Sequence, residues 1–299
     1  DAVVVLGSPW YTSAVIKKEK ETQRPTLVTK GLLGEIAKEA QNSFCAEWEG
    51  KDMFYIIESV ITQVLLNEYV VENPFNKSAR KIDVSLYVGA IEKFLHTEIE
   101  RVVGSVFSLE HIRMHTYPLS VHYALSFVYP KTHSYLFFDV SGESTDYLLN
   151  LEGGIQETSS TPLGKYNLLR AVQKKFGENS ANTQSRIRAY LKGALSDKQQ
   201  KLLSPLFEEE GKKWVAQIEM LLITPQKVFL SADTDVLPWY TTLLQKKDTQ
   251  FQKQKMHILP LREQELGRYV SAPSHISVDS FLIILSLFYQ QTKTAKELF

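Results

Sequence analysis

The sequence has little cysteine, no long apolar run and no excess of either charge, and each shortage excludes a class of protein. The single cysteine, Cys45, excludes an internal disulfide and predicts a reducing, cytoplasmic compartment. Lys+Arg and Asp+Glu are both 34, so no net field attracts nucleic acid or an anionic membrane. The longest apolar run, FLIILSLFY, is too short for a membrane span, and no signal peptide opens the chain. We therefore expect a cytoplasmic protein with no nucleic-acid partner and no direct membrane span.

The sequence alternates between strand and helix patterns. Its length of 299 residues is enough for two domains or for one domain with a large insertion. Residues 2–6 and the stretch YTSAVIKKEK predict two strands around a bend at Ser8-Pro9. Apolar residues at helical spacing predict a helix from Lys30, with Thr29 as its N-cap. Because the chain opens at Asp1 directly into a strand, we expect a longer polypeptide. The alternation predicts α/β layers.

The middle of the chain predicts three strands in series followed by helices. The strands are SYLFFDV, DYLLNL and GIQETSST, with the last two hinged on Glu152-Gly153-Gly154. Residues 165–222 are nearly all helical in pattern, with charged faces of both signs, and most such faces are simply solvated. A strand KVFLS and a further strand and helices follow.

The stretch FFDVSGESTDYLL, residues 137–149, packs two carboxylates, a glycine, two serines and a threonine into a turn between apolar runs. Asp139 ends a buried strand, at the edge where open α/β sheets bind ligands. Backbone N–H groups of such a turn can cradle an anionic oxygen, and the carboxylate can hold Mg²⁺ through water. The alternative is an ordinary β-turn whose Asp and Ser side chains cap backbone groups. Spacing alone leaves both open.

The order of these features resembles the actin-like ATPase superfamily. The turn resembles that superfamily's second phosphate loop, roughly Asp-x-Gly-Gly-x-Thr-x-Asp, and TPLGKYNLL resembles the Pro-x-Gly that enters its next helix. The helix PLSVHYALSF resembles the one that connects its two lobes. The segments SPWYTSAVIK, ITQVLLNEYVVENPF and VSLYVGA are similar to the small inserted domain of the FtsA/PilM family of bacterial cell-division and type IV pilus assembly proteins. The resemblance implies an α/β fold of actin-like, ribonuclease H-like lobes with a small inserted α/β domain.

The resemblance also implies a nucleotide site. Its phosphate loop would comprise Asp139, Ser141, Gly142, Glu143, Ser144, Thr145 and Asp146, and its adenosine loop Ser231, Ala232 and Asp233. Asp139 would hold Mg²⁺ through water, Gly142 and Thr145 would approach the β- and γ-phosphates, and Asp146 matches the loop's final aspartate.

Three departures from the family pattern bear on ATP binding. Ser141 replaces the first glycine of the phosphate loop, which narrows the room for a phosphate oxygen without forbidding one. Ala232 and Asp233 stand where a glycine pair is expected in a now degenerate adenosine motif, which implies weak or lost ATP binding. Asp233 and Asp235 would repel a polyphosphate unless a cation intervened, although the acidic stretch is also a natural N-cap for a helix near Pro238. The family's first phosphate loop lies upstream of the inserted domain and is missing from this sequence.

The resemblance divides the chain into three parts. Residues 1–105 are predicted to form the small inserted domain and the return to the first lobe. Residues 106–164 and 223–299 are predicted to form the core of the second lobe with the phosphate and adenosine loops, and residues 165–222 its helical subdomain.

Other candidate side chains favour structural roles. His111 and His115 are four apart on a predicted strand, a spacing that separates their side chains by ~13 Å, so we favour no metal. His122 is expected to pack within a helix and Cys45 within the core. No G-x-S-x-G elbow surrounds the serines of the turn, so a serine hydrolase is unsupported.

The preferred hypothesis is an actin-like scaffold or adaptor of the FtsA/PilM kind, with ATP and Mg²⁺ as structural ligands or lost. Its partner would be a peptide of a division-ring or pilus inner-membrane protein, or another copy of itself, and the partner would recruit it to the inner face of the membrane. A second hypothesis is an active Mg-ATP-dependent ATPase or kinase that uses Asp139 and Asp146. A third is a plain α/β interaction module whose turn is only a turn.

Overall fold

The computed structural model describes residues 2–47, 53–107, 112–219, 225–247, 249–271 and 279–295. The strands are β1 (Ala2–Leu6), β2 (Thr12–Leu27), β3 (Phe54–Leu66), β4 (Tyr69–Val70), β5 (Ser78–Glu92), β6 (Ile112–Thr116), β7 (Tyr135–Val140), β8 (Thr145–Leu151), β9 (Gly154–Thr161), β10 (Lys227–Ala232) and β11 (His257–Pro260). The helices are α1 (Lys30–Glu47), α2 (Lys93–Phe107), α3 (Tyr117–Val128), α4 (Lys165–Phe176), α5 (Ser180–Leu191), α6 (Asp197–Ile218), α7 (Leu237–Leu244), α8 (Gln250–Lys253), α9 (Glu263–Leu266) and α10 (Ser280–Ala295).

The chain folds into two compact units, each assembled from several segments. The first unit comprises 1–134, 148–159 and 266–299, and the second comprises 135–147 and 160–265. The three-part division drawn from the sequence stays a prediction. No helix among the described residues combines the length and the apolar character needed to cross a membrane.

Both strands predicted around Ser8-Pro9 form, but they enter different sheets. β1 pairs in parallel with β6, and β2 pairs antiparallel with β5 in a four-stranded sheet of order β2-β5-β3-β4. β5 is central and is buried from Val84 to Ile91, whereas β2 is an edge strand that alternates charged residues with partly buried ones. β1 is apolar, as strands in parallel pairs usually are. It pairs with β6 and not with β2, the strand that follows it in the sequence.

Local sequence explains how the four-stranded sheet is bounded. The turn from β3 to β4 is made by Asn67 and Glu68, both at positive φ (51° and 72°), which is the requirement of a tight type I′ hairpin. The helix predicted from Lys30 is α1, and the Thr29 hydroxyl accepts a hydrogen bond from the Leu32 N–H at 3.2 Å. One face of α1 packs against the sheet through four buried side chains, Leu33, Ile36, Ala40 and Phe44.

The other large sheet has five strands in the order β11-β10-β7-β8-β9. β10 lies parallel to both β7 and β11, and its Phe229 is fully buried next to Phe137 of β7. The predicted hinge between β8 and β9 is a turn at Glu152 and Gly153, with φ of 51° and 84°. Parallel β7 and β10 end side by side, so their carboxyl ends form one edge.

The helical region predicted between 165 and 222 contains α4, α5 and α6. Leu168, Val172, Ile187, Leu203 and Phe207 form their shared core. α4 begins after Gly164 and ends at Gly177, which adopts the left-handed conformation (φ 65°) that favours glycine at a helix C-terminus. This core holds α4 so that its first turn lies at the carboxyl end of β7.

Candidate functional site

Asp139 lies at the carboxyl edge of the five-stranded sheet, where the sequence placed it. It is the next-to-last residue of β7 and pairs in register with Ser231 of β10. Ser231 is buried and its side chain hydrogen-bonds the Asp139 carboxyl group. The two predicted loops, 139–146 and 231–233, therefore leave the sheet from neighbouring strands. We call them the 139–146 turn and the 231–233 loop.

The Asp139 carboxyl group lies in an environment that disfavours its charge. Burial raises the pKa of Asp139 to about 7, the carboxylates of Asp146 and Asp233 add to the increase, and the Ser231 hydrogen bond opposes it. Near pH 7 a proton therefore competes with any cation for this group. A magnesium ion could bind here only by displacing that proton.

The two serines of the 139–146 turn hydrogen-bond to each other. The Ser141 N–H and hydroxyl both donate to the carbonyl of Ser144 at 2.9 Å, and the Ser144 N–H approaches the Ser141 hydroxyl at 3.3 Å. The two hydroxyls are 3.1 Å apart. Ser141 thus closes the turn on itself, as in an Asx- or ST-type turn.

The first turn of α4 packs directly on the 139–146 turn. The N–H groups of Lys165 and Tyr166 donate to the carbonyls of Ser141 (3.0 Å) and Gly142 (2.8 Å). A Cβ at Gly164 would lie 2.5 Å from the Gly142 carbonyl oxygen, so only glycine permits this approach. A Cβ at Gly142 would lie 2.7 Å from the Tyr166 ring, so that ring covers the glycine expected to approach phosphate.

Thr145 and Glu143 of the turn also have partners within the second unit. Thr145 is 1% exposed, and its hydroxyl donates to the carbonyl of Leu163 (2.6 Å) and accepts from the Trp214 indole (2.9 Å). Glu143 points to solvent and forms an ion pair with Arg170 at 2.9 Å. A hydroxyl has only one proton to donate, so Thr145 has none left for a phosphate oxygen in this arrangement.

The 231–233 loop carries carboxylates that face cations from the helices. Asp233 forms an ion pair with Lys165, and Asp235 pairs with Arg188 at 3.1 Å. These aspartates were predicted to repel a polyphosphate unless a cation intervened, and Lys165 and Arg188 of the chain itself are the cations beside them. α7 starts at Leu237, and the N–H of that residue donates to the main-chain carbonyl of Asp233, not to its side chain.

Mg-ATP does not fit these residues as they are arranged. The Tyr166 ring covers Gly142 of the turn, and the buried Thr145 hydroxyl already donates to the carbonyl of Leu163. A proton competes with Mg²⁺ for the Asp139 carboxyl group, because its pKa is raised to about 7. The nucleotide role assigned to the turn and to the 231–233 loop stays a prediction. Lys165, Tyr166 and Arg188 were not predicted as site residues, although Lys165 directly follows the Pro-x-Gly motif.

A second candidate site is an apolar groove of about 860 Å³ in the first unit. Its walls come from the start of α1, from β3 and β4, from the loop after β4, from the end of α3 and from the turn between β8 and β9. The apolar lining includes Leu33, Ile61, Val64, Val70, Val71, Pro74, Phe75 and Pro130. This groove was not predicted from the sequence, because its residues are spread over more than a hundred positions.

The groove combines strand residues with a few polar groups. β4 pairs with Leu65 and Leu66 of β3, the Val71 N–H donates to the Val64 carbonyl at 3.0 Å, and the groove is lined by β3 residues 61–64. Gln63 anchors this wall, because its amide donates to the carbonyls of Leu151 (3.1 Å) and Glu152 (3.2 Å). Lys30 contributes a positive charge to the lining, and Glu72 and Glu152 contribute two negative charges. This is the chemistry of sites that bind an extended peptide.

The remaining candidate side chains have structural surroundings. His111 lies outside the described residues, and His115 Nδ1 is 3.0 Å from a carboxylate oxygen of buried Glu58. His122 is buried in α3, and burial lowers its pKa to about 4, which fits packing. Cys45 is partly buried against the α1 core. Within the described ranges, no three His, Cys, Asp or Glu side chains are placed to hold a metal ion.

The architecture is that of an α/β protein with an actin-like fold. A chain of the solved PilM-PilN type IV pilus biogenesis complex is similar to this one, with a TM-score of 0.63 and 13% identity, over 97% of this chain and 80% of that chain. The fold is therefore PilM-like, which confirms the predicted fold class and the predicted resemblance.

Other comparisons give weaker or no similarity. A Bacteroides thetaiotaomicron protein with an actin-like ATPase fold has a TM-score of 0.39 at 9% identity, over 86% of this chain and 67% of that one. An archaeal actin homologue has a TM-score of 0.38 at 12% identity, over 61% of this chain and 57% of that one. No model of a known protein family and no curated protein matches the sequence.

Proposed function

We propose that this chain is an actin-like adaptor that holds an extended peptide of a protein partner in the apolar groove, and that it binds nucleotide weakly or not at all. The groove is the observation that carries the proposal, because it combines apolar walls with β3 residues 61–64 and with charged side chains of both signs. The self-bonded 139–146 turn supports a role without catalysis.

The partner is proposed to belong to a pilus assembly system in preference to a division ring. The support is the fold that the chain shares with the PilM-PilN complex, whose name states its role in type IV pilus biogenesis. In this proposal the protein is cytoplasmic, and its partner recruits it to the inner face of the membrane. Self-assembly is an additional proposed property of the fold.

The test is peptide binding to matched variants of β4. A 12-residue peptide selected from a displayed random library would be titrated into the whole protein by fluorescence anisotropy. Val70→Asp places a charge on the apolar lining and should weaken binding at least ~10-fold, because a charge must then be desolvated. Tyr69→Asp is the control, since Tyr69 is 77% exposed and does not line the groove, and it should change affinity less than ~2-fold. Equal losses in both variants would contradict the groove as the binding site.

An active Mg-ATP-dependent ATPase is the second candidate, favoured by the position of Asp139 at the carboxyl edge of parallel strands. If the protein hydrolyses Mg-ATP and the Asp139→Ala variant does not, the result would favour the ATPase over the non-catalytic adaptor. Retained turnover in that variant would point to a contaminating enzyme.

A further inference from the structure

The charged side chains of the apolar groove are unevenly distributed over its two walls. One wall, formed by the start of α1 and the loop after β4, carries Lys30 and Glu72, which have opposite signs. The other wall, formed by the end of α3 and the turn between β8 and β9, carries the carboxylate of Glu152. Lys30 and Glu72 balance each other in charge, so Glu152 gives the lining its net negative charge.

The wall with balanced charge is held together by contacts within the first unit. The ammonium nitrogen of Lys30 lies 5.8 Å from the centroid of the Phe75 ring, a cation–π distance. The N–H of Asn76 donates to the carbonyl of Val28 at 3.2 Å, which joins the loop to the start of α1. Lys30 and Glu72 therefore stay on one wall, across the groove from Glu152.

Glu152 combines a fixed main chain with an unpaired carboxylate. Its N–H donates to the Ser134 hydroxyl at 3.1 Å, and its carbonyl accepts from the Gln63 amide at 3.2 Å. The N–H of Gly153 donates to the carbonyl of His133 at 2.7 Å. The Glu152 side chain is exposed, and it forms no ion pair with any cation in the part of the chain that the structure describes.

A peptide in the groove changes the surroundings of this carboxylate. Filling an apolar groove removes water from its walls, and a charge pair that is partly shielded from water interacts more strongly than one on an open surface. A peptide without a positive charge would instead leave the Glu152 carboxylate partly desolvated and unpaired, which is unfavourable. The same group therefore attracts one kind of peptide and rejects another.

We propose that Glu152 selects the partner of the groove, and that this partner is an extended segment with an apolar run and a lysine or arginine that pairs with Glu152. Such a segment is preferred to a neutral or acidic one of the same apolar content. The inference rests on the proposed function and adds the chemistry of the peptide.

The first experiment selects 12-residue peptides from a displayed random library at pH 8, with the whole protein as bait. Wild type should enrich lysine or arginine at one position beside an apolar run. Glu152→Lys should enrich aspartate or glutamate at that position, because the sign of the wall is reversed. Glu157→Lys is the matched control, since Glu157 is an exposed carboxylate on β9 that does not line the groove, and it should select the same peptides as wild type.

The second experiment measures affinity by fluorescence anisotropy. The best wild-type peptide and a version with its basic residue replaced by glutamate are titrated into each protein. The replacement should weaken binding to wild type and to Glu157→Lys by about tenfold, to Glu152→Gln by less than ~3-fold, and should tighten binding to Glu152→Lys. The preference of wild type should shrink as the salt concentration rises from about 0.05 M to about 0.5 M.

Several results would overturn the inference. Wild-type selection of acidic or uncharged peptides would do so, and so would an unchanged preference in Glu152→Lys. A dimer in analytical ultracentrifugation that Val70→Asp abolishes and no selected peptide displaces would show that a second copy fills the groove.

Failure of the charge selection is distinguishable from failure of the adaptor function. If Val70→Asp weakens peptide binding and Tyr69→Asp does not, the groove is the binding site whatever Glu152→Lys does. An unchanged charge preference would then overturn only the role of Glu152. Equal losses in Val70→Asp and Tyr69→Asp, or no peptide selected by the whole protein, would overturn both proposals.

Discussion

At the scale of single residues, Asp139 links the site to protein stability. Its carboxyl group has an ordinary pKa of 3.8, and in the folded protein burial, followed by the charges of Asp146 and Asp233, raises it to about 7. Between these two values the folded state binds more protons than the unfolded state. This group therefore makes the free energy of unfolding fall as pH rises from about 4 to about 7, after which its contribution is constant.

We expect Asp139→Asn to remove this pH dependence. The variant should be more stable than wild type at pH 8 by about 2 to 4 kcal/mol, and the difference should shrink towards pH 4.5, because the folded wild-type carboxyl is then already neutral and the unfolded one is beginning to take up its proton. Urea unfolding of both proteins at the two pH values measures the difference, which cancels the titration of the other carboxylates. Parallel pH curves for the two proteins would show that Asp139 ionises freely.

Only some residues of the candidate site could be predicted from the sequence. Asp139 at the end of an apolar strand and the turn-forming residues after it could be recognised because the signal is local. The partners that close the site could not, since Lys165 and Asp233 are 68 positions apart and the Arg188–Asp235 pair spans 47. An ion pair of that separation exists only after the helices have packed on the sheet.

At the scale of elements, β3, β5 and β6 meet at one buried carboxylate. The pairing of β3 with β5 slips between Ile56 and Glu58, and Glu58 accepts hydrogen bonds from the N–H (3.0 Å) and hydroxyl of Thr116 on β6. Tyr87 of β5 lies 2.6 Å from the same hydroxyl. Gly89 of β5 leaves the space that Glu58 occupies, because a Cβ there would lie 2.8 Å from its side chain.

We expect Gly89→Ala to lower the free energy of unfolding by about 1 to 3 kcal/mol, because the added methyl group displaces Glu58 or Thr116 from a network that has no spare room. Gly104→Ala is the control: Gly104 lies within α2 and a Cβ there would have its nearest neighbour at 4.0 Å. Alanine is the better helix former, so this variant should be neutral or stabilising by up to ~1 kcal/mol. Denaturant unfolding compares both with wild type, and a Gly89→Ala protein as stable as the control would contradict this account of the strand junction.

The order of elements could largely be predicted, whereas their pairing could not. Apolar runs and turn residues such as Gly153 located β7, β8 and β9, and helical spacing located α1 and α4. The pairing of β1 with β6 could not be predicted, because the two strands lie more than a hundred residues apart in the chain. The groove was missed for the same reason, and because Pro74 and Phe75 stand within a stretch that is otherwise polar.

At the scale of the whole molecule, charge balance sets what the protein attracts. The 34 basic and 34 acidic side chains give a formal net charge of +0 and a pI near 7.2. Some of them pair with each other among the described residues: Lys81 with Glu19, Arg101 with Glu98, Lys213 with Glu209 and Arg186 with Glu178. A nucleic-acid backbone gains affinity by releasing counterions when an excess of lysine and arginine neutralises it, and the overall charge balance provides no such excess.

We therefore expect no saturable binding of nucleic acid at physiological ionic strength. Fluorescence anisotropy with a labelled single-stranded and a labelled double-stranded 20-residue oligonucleotide should show no saturation below ~10 µM protein at about 0.15 M salt. Any signal at low salt should be weak and equal for unrelated sequences, because balanced charge leaves only short-range attraction. The same preparation should bind the selected groove peptide, which serves as the control for folded protein. Micromolar affinity that falls steeply with salt would show a local basic surface that the overall charge balance conceals, and would return nucleic acid to the possible partners.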